Sequence, residues 1–287
     1  MRHIVAWVAA LLVVPQMVEA TWSVIAVDRN SGQVIIASAT CVRQSRFPPR
    51  PSRDLMDIQA VIVPGIGVAA CQAGVDNTRA NQMLVYEEIR KGTDPERIIE
   101  LLREQEERKE DSQMERRQFG ILDLQGRSAG FNGSRNSAAS LHVAGHVGDD
   151  IFVQLQGNIL FDDDVAEDGV LAFMRARGTL ADRVMAAMEA ADLAGGDKRC
   201  TCEEEPKPAA PCDGKTSHVA YIAIANREDT VGQSHNDGDY YAYLSATDED
   251  IQPHENANPV ITLRMRYDAW KNAGSRRTGV PPSVIPE

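Results

Sequence analysis

The sequence predicts an α+β protein with sheets in the middle and helices outside. Strand-like segments bounded by turn residues alternate with pairs of segments that carry apolar residues at helical spacing. Apolar residues make up 43% of the 287 residues and charged residues 25%, which is the balance of a folded globular chain. No internal repeat and no linker-like composition is found before residue 274, so a single domain over 21–273 is expected.

The first elements are predicted as strands. Thr21–Asp28 and Gln33–Thr40 are rich in β-branched residues, and an Asn-Ser-Gly turn between them predicts a hairpin. Two further strands are expected around 58–63 and 66–73, on either side of a Pro-Gly turn.

The period then changes to that of a helix. Residues 77–91 carry apolar side chains at helical spacing and stop at Gly92. Asp94 as a cap and Pro95 at the first helical position predict a second helix that runs to about Arg108.

The rest of the chain repeats this order of strands followed by two helices. The predicted elements are strands over Gln118–Asp123, Ser128–Asn132, 143–145 and 152–157, helices over 162–175 and Leu180–Leu193, and a last strand over 217–225. Residues 274–287, with three prolines and two arginines, are expected to form a disordered tail.

Residues 1–20 have the pattern of a signal peptide. Arg2 precedes an apolar run over 4–14, and residues 18–20 (Val-Glu-Ala) match the small-x-small site that signal peptidase accepts. A helix of about 11 residues spans roughly 16 Å, whereas a bilayer core is about 30 Å thick. We therefore expect export, to the periplasm or outside the cell, with no membrane segment after cleavage; an uncleaved N-terminal anchor is the alternative.

The net charge of −12 argues against nucleic acid as a partner, because affinity for nucleic acids depends on Lys and Arg that neutralise phosphates. Aromatic residues are only 5% of the chain, so platforms for stacking single-stranded bases are not expected either.

Five cysteines follow the predicted cleavage site: Cys41, Cys71, Cys200, Cys202 and Cys212. In an oxidising compartment they predict two disulfides and one remaining thiol. The last three could instead form a metal cluster, but three thiols without a histidine at zinc-like spacing favour disulfides.

Other familiar sites are missing from the sequence, which contains no Walker-type loop, dinucleotide glycine fingerprint, His-Glu-x-x-His or Gly-x-Ser-x-Gly. Three consecutive aspartates over 162–164 favour an acidic helix start, with a cation site as the alternative. His146 follows a glycine at a strand end and is either a pocket residue or a structural histidine. We predict neither a metal nor a cofactor.

Cleavage after Ala20 would make Thr21 the first residue of the chain and of its first strand. A free α-amino group has a pKa of about 7.7, so a useful fraction is neutral at physiological pH. Such an amine can accept the hydroxyl proton while the threonine oxygen attacks a carbonyl. Position alone is weak support, because small residues commonly follow signal peptides.

A series of motifs over about 21–266 resembles the bacterial family called domain of unknown function 1028. In chain order they are Thr21-Trp22-Ser23 with Asp28, Ser31-Gly32-Gln33-Val34, Val63-Pro64-Gly65, Gln118-Phe119-Gly120, Ala144-Gly145-His146, Gln156-Gly157-Asn158, Gly195-Gly196-Asp197-Lys198-Arg199 and Asn258-Pro259-Val260. Compared with the family pattern, residues 200–213 are an insertion bracketed by cysteines, and Cys200 or Cys202 pairing with Cys212 would close its base.

The resemblance implies the four-layer αββα sandwich of the N-terminal-nucleophile (Ntn) hydrolases, with Thr21 as the nucleophile. It makes Asn158 a candidate oxyanion donor, with a turn residue as the alternative. Asp197 and Arg199 would orient the amino terminus or hold a substrate carboxylate, unless they form an ordinary ion pair. Ser23 and Ser38 would contact the amine, unless they are plain strand residues. His146 is a candidate substrate-binding residue.

Two functions follow from this resemblance. The first is an exported amide-bond hydrolase that acts on a small-molecule or peptide-like substrate without a cofactor. The second is a non-catalytic protein of the same fold that binds a ligand or partner at the former site, because a fold does not fix a function.

Overall fold

The computed structural model describes residues 21–47, 55–74, 76–137, 139–203 and 209–279. The predicted signal peptide, part of the predicted insertion and residues 280–287 lie outside these ranges. Ten strands are described: β1 (Thr21–Asp28), β2 (Gln33–Thr40), β3 (Ala60–Val63), β4 (Gly67–Gln72), β5 (Gln118–Asp123), β6 (Ser128–Asn132), β7 (Leu141–Val147), β8 (Ile151–Asn158), β9 (Val219–Ala225) and β10 (Ala242–Thr247). Six α-helices accompany them: α1 (Leu55–Gln59), α2 (Ala80–Lys91), α3 (Pro95–Glu107), α4 (Asp164–Arg175), α5 (Leu180–Leu193) and α6 (Pro259–Asn272).

The strands form two antiparallel sheets. The six-stranded sheet has the order β10-β9-β2-β1-β8-β7, and the four-stranded sheet has the order β3-β4-β5-β6. β1 is therefore an interior strand, hydrogen-bonded to β2 on one side and to β8 on the other. The two sheets and six helices confirm the α+β class that the sequence predicts.

Three apolar clusters join these elements. One lies between the two sheets and includes Ile25 and Ile36 of the larger sheet and Ile62 and Leu122 of the smaller one. A second packs the other face of the six-stranded sheet against α4, α5 and α6, and a third packs the four-stranded sheet against α2 and α3. Because side chains alternate along a strand, odd-numbered residues of β1 face the opposite sheet and even-numbered residues face the helices.

The first hairpin sets the register that positions the candidate site. β1 and β2 pair along their whole length, from Asp28 opposite Gln33 to Thr21 opposite Thr40. The turn between them includes Gly32 with φ of +72°, a conformation in which glycine avoids the strain of a side chain. The predicted hairpin is present with the predicted bounds.

Amide side chains cross between the sheets beside Thr21. Gln72 of β4 is 2% exposed, and its Nε2 donates to the carbonyl oxygen of Thr21 (2.8 Å) and to Gln118 Oε1 (2.7 Å). Gln118 of β5 in turn donates from Nε2 to the carbonyl oxygen of Gly157 (2.7 Å). We call Gln72, Gln118 and Gln156 the inter-sheet amides.

Gln156 crosses in the opposite direction. It belongs to β8, and its Nε2 donates to the carbonyl oxygen of Ala70 on β4 (2.9 Å). The space for it exists because residue 120 is glycine: a Cβ there would lie 2.1 Å from Gln156 Oε1. The inter-sheet amides therefore bond the sheets together where the apolar cluster ends.

Three elements differ from the prediction. Residues 58–59 belong to the short helix α1 rather than to a strand, because a buried apolar run of a few residues gives no usable period. β10 was not predicted. α6 was not predicted either: basic residues such as Arg264 and Arg266 break its apolar pattern, and both form ion pairs, with Glu189 and Glu255 respectively.

Residues 274–279, the start of the expected tail, contact the rest of the fold. Trp270 Nε1 donates to the carbonyl oxygen of Arg276 (2.7 Å), and Arg277 pairs with Asp229. Thr278 Oγ1 accepts from the backbone nitrogen of Tyr243 (2.8 Å). These contacts hold this segment against β10 and α6.

Two disulfides and one free cysteine are present among the described residues, as the sequence predicts. Cys41 pairs with Cys200 and Cys202 pairs with Cys212, with Cα–Cα distances of 5.6 and 5.9 Å. Cys71 is free and buried. The first disulfide joins the end of β2 to the segment that follows Arg199.

We expect the variant Gln72→Ala to lose about 2–4 kcal/mol of unfolding free energy, because it leaves the Thr21 carbonyl and Gln118 Oε1 buried without this partner. Gln125→Ala, in an exposed turn, is the matched control and should change stability by less than about 0.5 kcal/mol. Urea unfolding followed by circular dichroism measures both. Equal stability of the two variants would contradict this role of Gln72.

Thiol counting on protein made in an oxidising compartment tests the cysteine assignment. We expect no reactive thiol in the native protein, because Cys71 is buried and burial raises the pKa of its thiol. One thiol should react after unfolding without reductant, and none in Cys71→Ser. Three or more thiols in the unfolded, unreduced protein would exclude the two disulfides.

Candidate functional site

Thr21 occupies the first position of an interior strand and faces the opposite sheet. It is 4% exposed and lies between Thr40 of β2 and Asn158 of β8 in the register of the sheet. β2 and β8 end where β1 begins, so the loops that follow these two strands start at the same edge of the sheet as Thr21. This placement brings residues that are far apart in the sequence to one point.

Each polar group of Thr21 has a partner. Its backbone nitrogen donates to Asn158 Oδ1 (3.1 Å), and its hydroxyl donates to the Thr40 hydroxyl (3.2 Å). Its carbonyl oxygen accepts from Gln72 Nε2 (2.8 Å). The residue is therefore held in one orientation by side chains from three other strands.

Asn158 ends β8 and contacts Thr21 through its amide oxygen. Ile159 follows with φ of +55°, a left-handed conformation that turns the chain away from the sheet directly after Asn158. The observed bond uses Oδ1 as an acceptor for the Thr21 nitrogen, whereas an oxyanion donor would use Nδ2. The donor role of Asn158 remains a prediction.

Thr40 is a site residue that the sequence reasoning missed. Its hydroxyl accepts hydrogen bonds from the Thr21 hydroxyl and from the backbone nitrogen of Val42 (3.1 Å). A threonine at a strand end is ordinary by itself. The usable signal was the hairpin turn, because pairing Asp28 with Gln33 also pairs residue 21 with residue 40.

Ser23 and Ser38 are fully buried one step further along the same face. Ser23 Oγ lies 3.0 Å from Ser38 Oγ and also contacts Gln72 Oε1, while Ser38 Oγ donates to the carbonyl oxygen of Trp22 (2.6 Å). Within the described ranges, neither serine hydrogen-bonds to the Thr21 nitrogen. Their connection to Thr21 is indirect, through Gln72.

Asp197 and Arg199 form an ion pair beside the end of β2. Arg199 donates to the Asp197 carboxylate from Nη2 (2.7 Å) and Nε (3.0 Å), which is a bidentate contact. Asp197 Oδ2 also accepts from the backbone nitrogen of Cys41 (2.9 Å), the residue after Thr40. The pair lies next to the site, but its observed partner is Cys41 rather than the Thr21 nitrogen.

The buried residue His218 directly precedes β9 and lies next to Thr40, on the side of β2 that faces away from β1. The backbone nitrogen of His218 donates to the carbonyl oxygen of Thr40 (2.7 Å). Burial lowers the pKa of His218 to about 3, and the positive charges of Lys215, Arg43 and Arg199 act in the same direction. The imidazole is therefore neutral at pH 7. Of the three cations around it, the sequence connected only Arg199 to the site, and Lys215 and Arg43 were missed.

His146 is not brought to this site. It pairs with Phe152 on β8, six residues before Asn158, which corresponds to roughly 20 Å along the strand. Its Nδ1 lies 2.9 Å from the carbonyl oxygen of Gly148 at the far end of β7. Any role in substrate binding would have to be separate from Thr21.

The three consecutive aspartates singled out in the sequence lie at the start of α4. Asp164 begins α4 and Asp163 precedes it, which fits the acidic helix start. Over the ranges that the structure covers, no group of three or more His, Cys, Asp or Glu residues could hold a metal ion. In the same ranges, no helix is long and apolar enough to span a bilayer.

Comparison with known proteins identifies the family. The chain is similar to the crystal structure of protein SPO2555 from Silicibacter pomeroyi, a DUF1028 protein, with a TM-score of 0.60, 22% sequence identity, and coverage of 92% of this chain and 95% of that one. At this identity the likeness shows a shared fold only. No curated protein matches the sequence. The family model described as a family of unknown function (DUF1028) matches residues 21–205, more than half of the sequence, and the chain belongs to this family.

Proposed function

We propose that the protein is an exported amide-bond hydrolase in which Thr21 is the nucleophile and its own α-amine is the general base. The observation that carries the proposal is the set of contacts at Thr21: nitrogen, hydroxyl and carbonyl oxygen are each held by a separate buried side chain. Removal of residues 1–20 would convert the Thr21 backbone nitrogen, now an amide, into a free amine at this position.

The proposed reaction begins with proton transfer inside one residue. Asn158 Oδ1 accepts one hydrogen of the amine and thereby orients the nitrogen lone pair. The amine takes the hydroxyl proton, directly or through water, as Thr21 Oγ1 attacks the substrate carbonyl. The ammonium then protonates the leaving nitrogen, the C–N bond breaks, and water hydrolyses the resulting Thr21 ester.

Thr40 and Asn158 supply the remaining contacts in this proposal. The Thr40 hydroxyl lies 3.2 Å from Thr21 Oγ1 and keeps the nucleophile directed along the edge of the sheet. Nδ2 of Asn158 is the candidate donor to the negative oxygen of the tetrahedral intermediate, a contribution worth roughly 10²–10³ in rate where one such donor has been removed.

The same proposal extends to the fold. Apolar clusters on both faces of the larger sheet, and between the smaller sheet and its helices, support an Ntn-type αββα sandwich. We propose that residues 21–273 form one domain with an insertion at 200–213. The two disulfides support export to the periplasm or outside the cell, because such bonds persist in oxidising compartments.

One observation favours the second candidate function, a non-catalytic binding protein. Thr21 is only 4% exposed, as a threonine with a purely structural role would be. The two functions differ in whether Thr21 can be acylated, which an electrophile tests directly.

Intact mass spectrometry of the exported protein, before and after treatment with a β-lactone, tests the hydrolase. We expect a chain that begins at Thr21 and gains one acyl adduct, because the amine activates the hydroxyl. Thr21→Ala should gain none, and Thr230→Ala, an exposed threonine, should label as the parent does. A retained leader, or no adduct where a known Ntn enzyme is labelled, would favour the binding protein.

Asn158→Asp separates the two roles of Asn158. It keeps an oxygen acceptor for the amine but removes the amide donor, so we expect labelling to slow by about 10²-fold. A carboxylate beside the amine favours the ammonium form and raises its pKa, so the remaining rate should rise at higher pH than in the parent. An unchanged rate and pH profile would show that Asn158 does not face the reaction.

A further inference from the structure

The loop after Thr40 carries a cation close to the candidate nucleophile. Thr40 accepts from the Thr21 hydroxyl, Val42 bonds back to the Thr40 hydroxyl, and Arg43 follows directly. Three peptide units separate Arg43 from Thr40, so their Cα atoms are at most about 11 Å apart. An arginine side chain at this distance can reach a small molecule whose amide lies at Thr21.

The side chains of the two arginines near the site, Arg43 and Arg199, differ in their contacts. Arg199, expected from the sequence to hold a substrate carboxylate, already forms a bidentate contact with Asp197. The Arg43 carbonyl oxygen accepts from the backbone nitrogen of Arg46 (2.9 Å), but the Arg43 side chain makes no hydrogen bond or ion pair with any residue that the structure covers. Arg43 is half-buried, so part of the residue is accessible to solvent. The Arg43 guanidinium can therefore donate hydrogen bonds to a ligand, whereas the Arg199 guanidinium already donates to Asp197.

The charges around Arg43 favour an additional anion. Lys215, Arg43 and Arg199 all act on His218, which is neutral at pH 7 because burial lowers its pKa to about 3. Two buried carboxylates, Asp197 and Asp248, face these three cations, and the exposed Glu249 acts on Asp248 from the surface. Lys215, Arg43 and Arg199 outnumber the two buried carboxylates by one positive charge, in a chain whose net charge is −12. Glu249 is exposed, so solvent and salt screen its charge more strongly than those of the buried carboxylates.

A second observation at the same place is an unsatisfied polar atom. The His218 side chain is 4% exposed, and its Nδ1 has no hydrogen-bond partner among the described residues. The nearest carboxylate oxygen, Asp248 Oδ2, is 3.8 Å away, beyond hydrogen-bond distance. Buried polar atoms are normally paired, so an unpaired one beside a cation cluster points to a missing polar group.

We infer that Arg43 binds the carboxylate of the substrate, and that the substrate class is an N-acylated α-amino acid with a free carboxylate. This inference rests on the proposed function. An α-carboxylate and the amide nitrogen are separated by one carbon, which matches a nucleophile at Thr21 and a guanidinium on the adjoining loop. A planar guanidinium donates to both carboxylate oxygens at once.

The overall reaction consumes one water and yields a carboxylic acid and an amino acid. Thr21 Oγ1 forms a bond to the acyl carbon, and the bond from that carbon to the amino acid nitrogen breaks. The hydroxyl proton passes through the α-amine to the leaving nitrogen. The amino acid is thereby separated from the acyl group while Arg43 still binds its carboxylate. Water then cleaves the Thr21 ester.

Equilibrium binding to the Thr21→Ala protein, which cannot turn over, tests the inference by calorimetry. The probes are the N-acetyl derivatives of alanine, leucine and glutamate, each with its α-carboxylate free or as the methyl amide. For at least one pair we expect the acid to bind about 10- to 100-fold more tightly, as charged hydrogen bonds contribute. Arg43→Gln should remove this preference and leave amide binding unchanged, whereas Arg43→Lys should keep part of it.

Arg46→Gln is the matched control, because Arg46 is an exposed arginine in the same short helical turn. It should leave the preference for acids intact. Equal binding of acids and amides, or a preference that survives Arg43→Gln, would overturn the inference even if Thr21 is acylated by a β-lactone. Preference for acids that depends on Arg43, without any acylation of Thr21, would keep carboxylate recognition and refute the hydrolase.

Discussion

The hydrogen bond from Gln72 to the Thr21 carbonyl is the constraint on which the site depends. It crosses from the four-stranded sheet to the six-stranded one and fixes the start of β1 relative to a strand 51 residues later in the chain. The Gln72 amide bonds to Thr21 and Gln118 through Nε2 and to Ser23 through Oε1, so this set of contacts tolerates one register of β1. Slipping β1 by one residue would turn Thr21 away from both Gln72 and the opposite sheet.

The same constraint explains why polar residues lie in the middle of the fold. An apolar filling would leave the carbonyl oxygens of Thr21 and Gly157 without the inter-sheet amides that now bond them. Gly120 belongs to this arrangement, because any side chain there would occupy the place of Gln156. The polar groups of Thr21 are thus oriented in advance, which reduces the ordering that a reaction would otherwise require.

Local sequence patterns predicted much of the fold but only part of the site. The spacing of apolar residues and the turn residues were sufficient to predict the first hairpin, α3 and α5. They did not predict α6, because its arginines interrupt the apolar pattern and form ion pairs with residues outside the helix. Thr21 and Asn158 could be proposed from motifs. Gln72 and His218 could not, since their relation to Thr21 exists only through pairing between strands that are far apart in the chain.

The disulfide between Cys41 and Cys200 connects the chemistry of the site to the compartment in which it would form. It ties the loop of Thr40 and Arg43 to the segment of Asp197 and Arg199, so both sides of the site edge depend on one covalent bond. Signal peptide removal and disulfide formation occur on the same side of a membrane. If the chain is exported as proposed, the free Thr21 amine and the disulfide between Cys41 and Cys200 would form in the same compartment. In a chain that was not exported, cytosolic reductants would keep these two cysteines reduced, and the two loops would not be joined covalently.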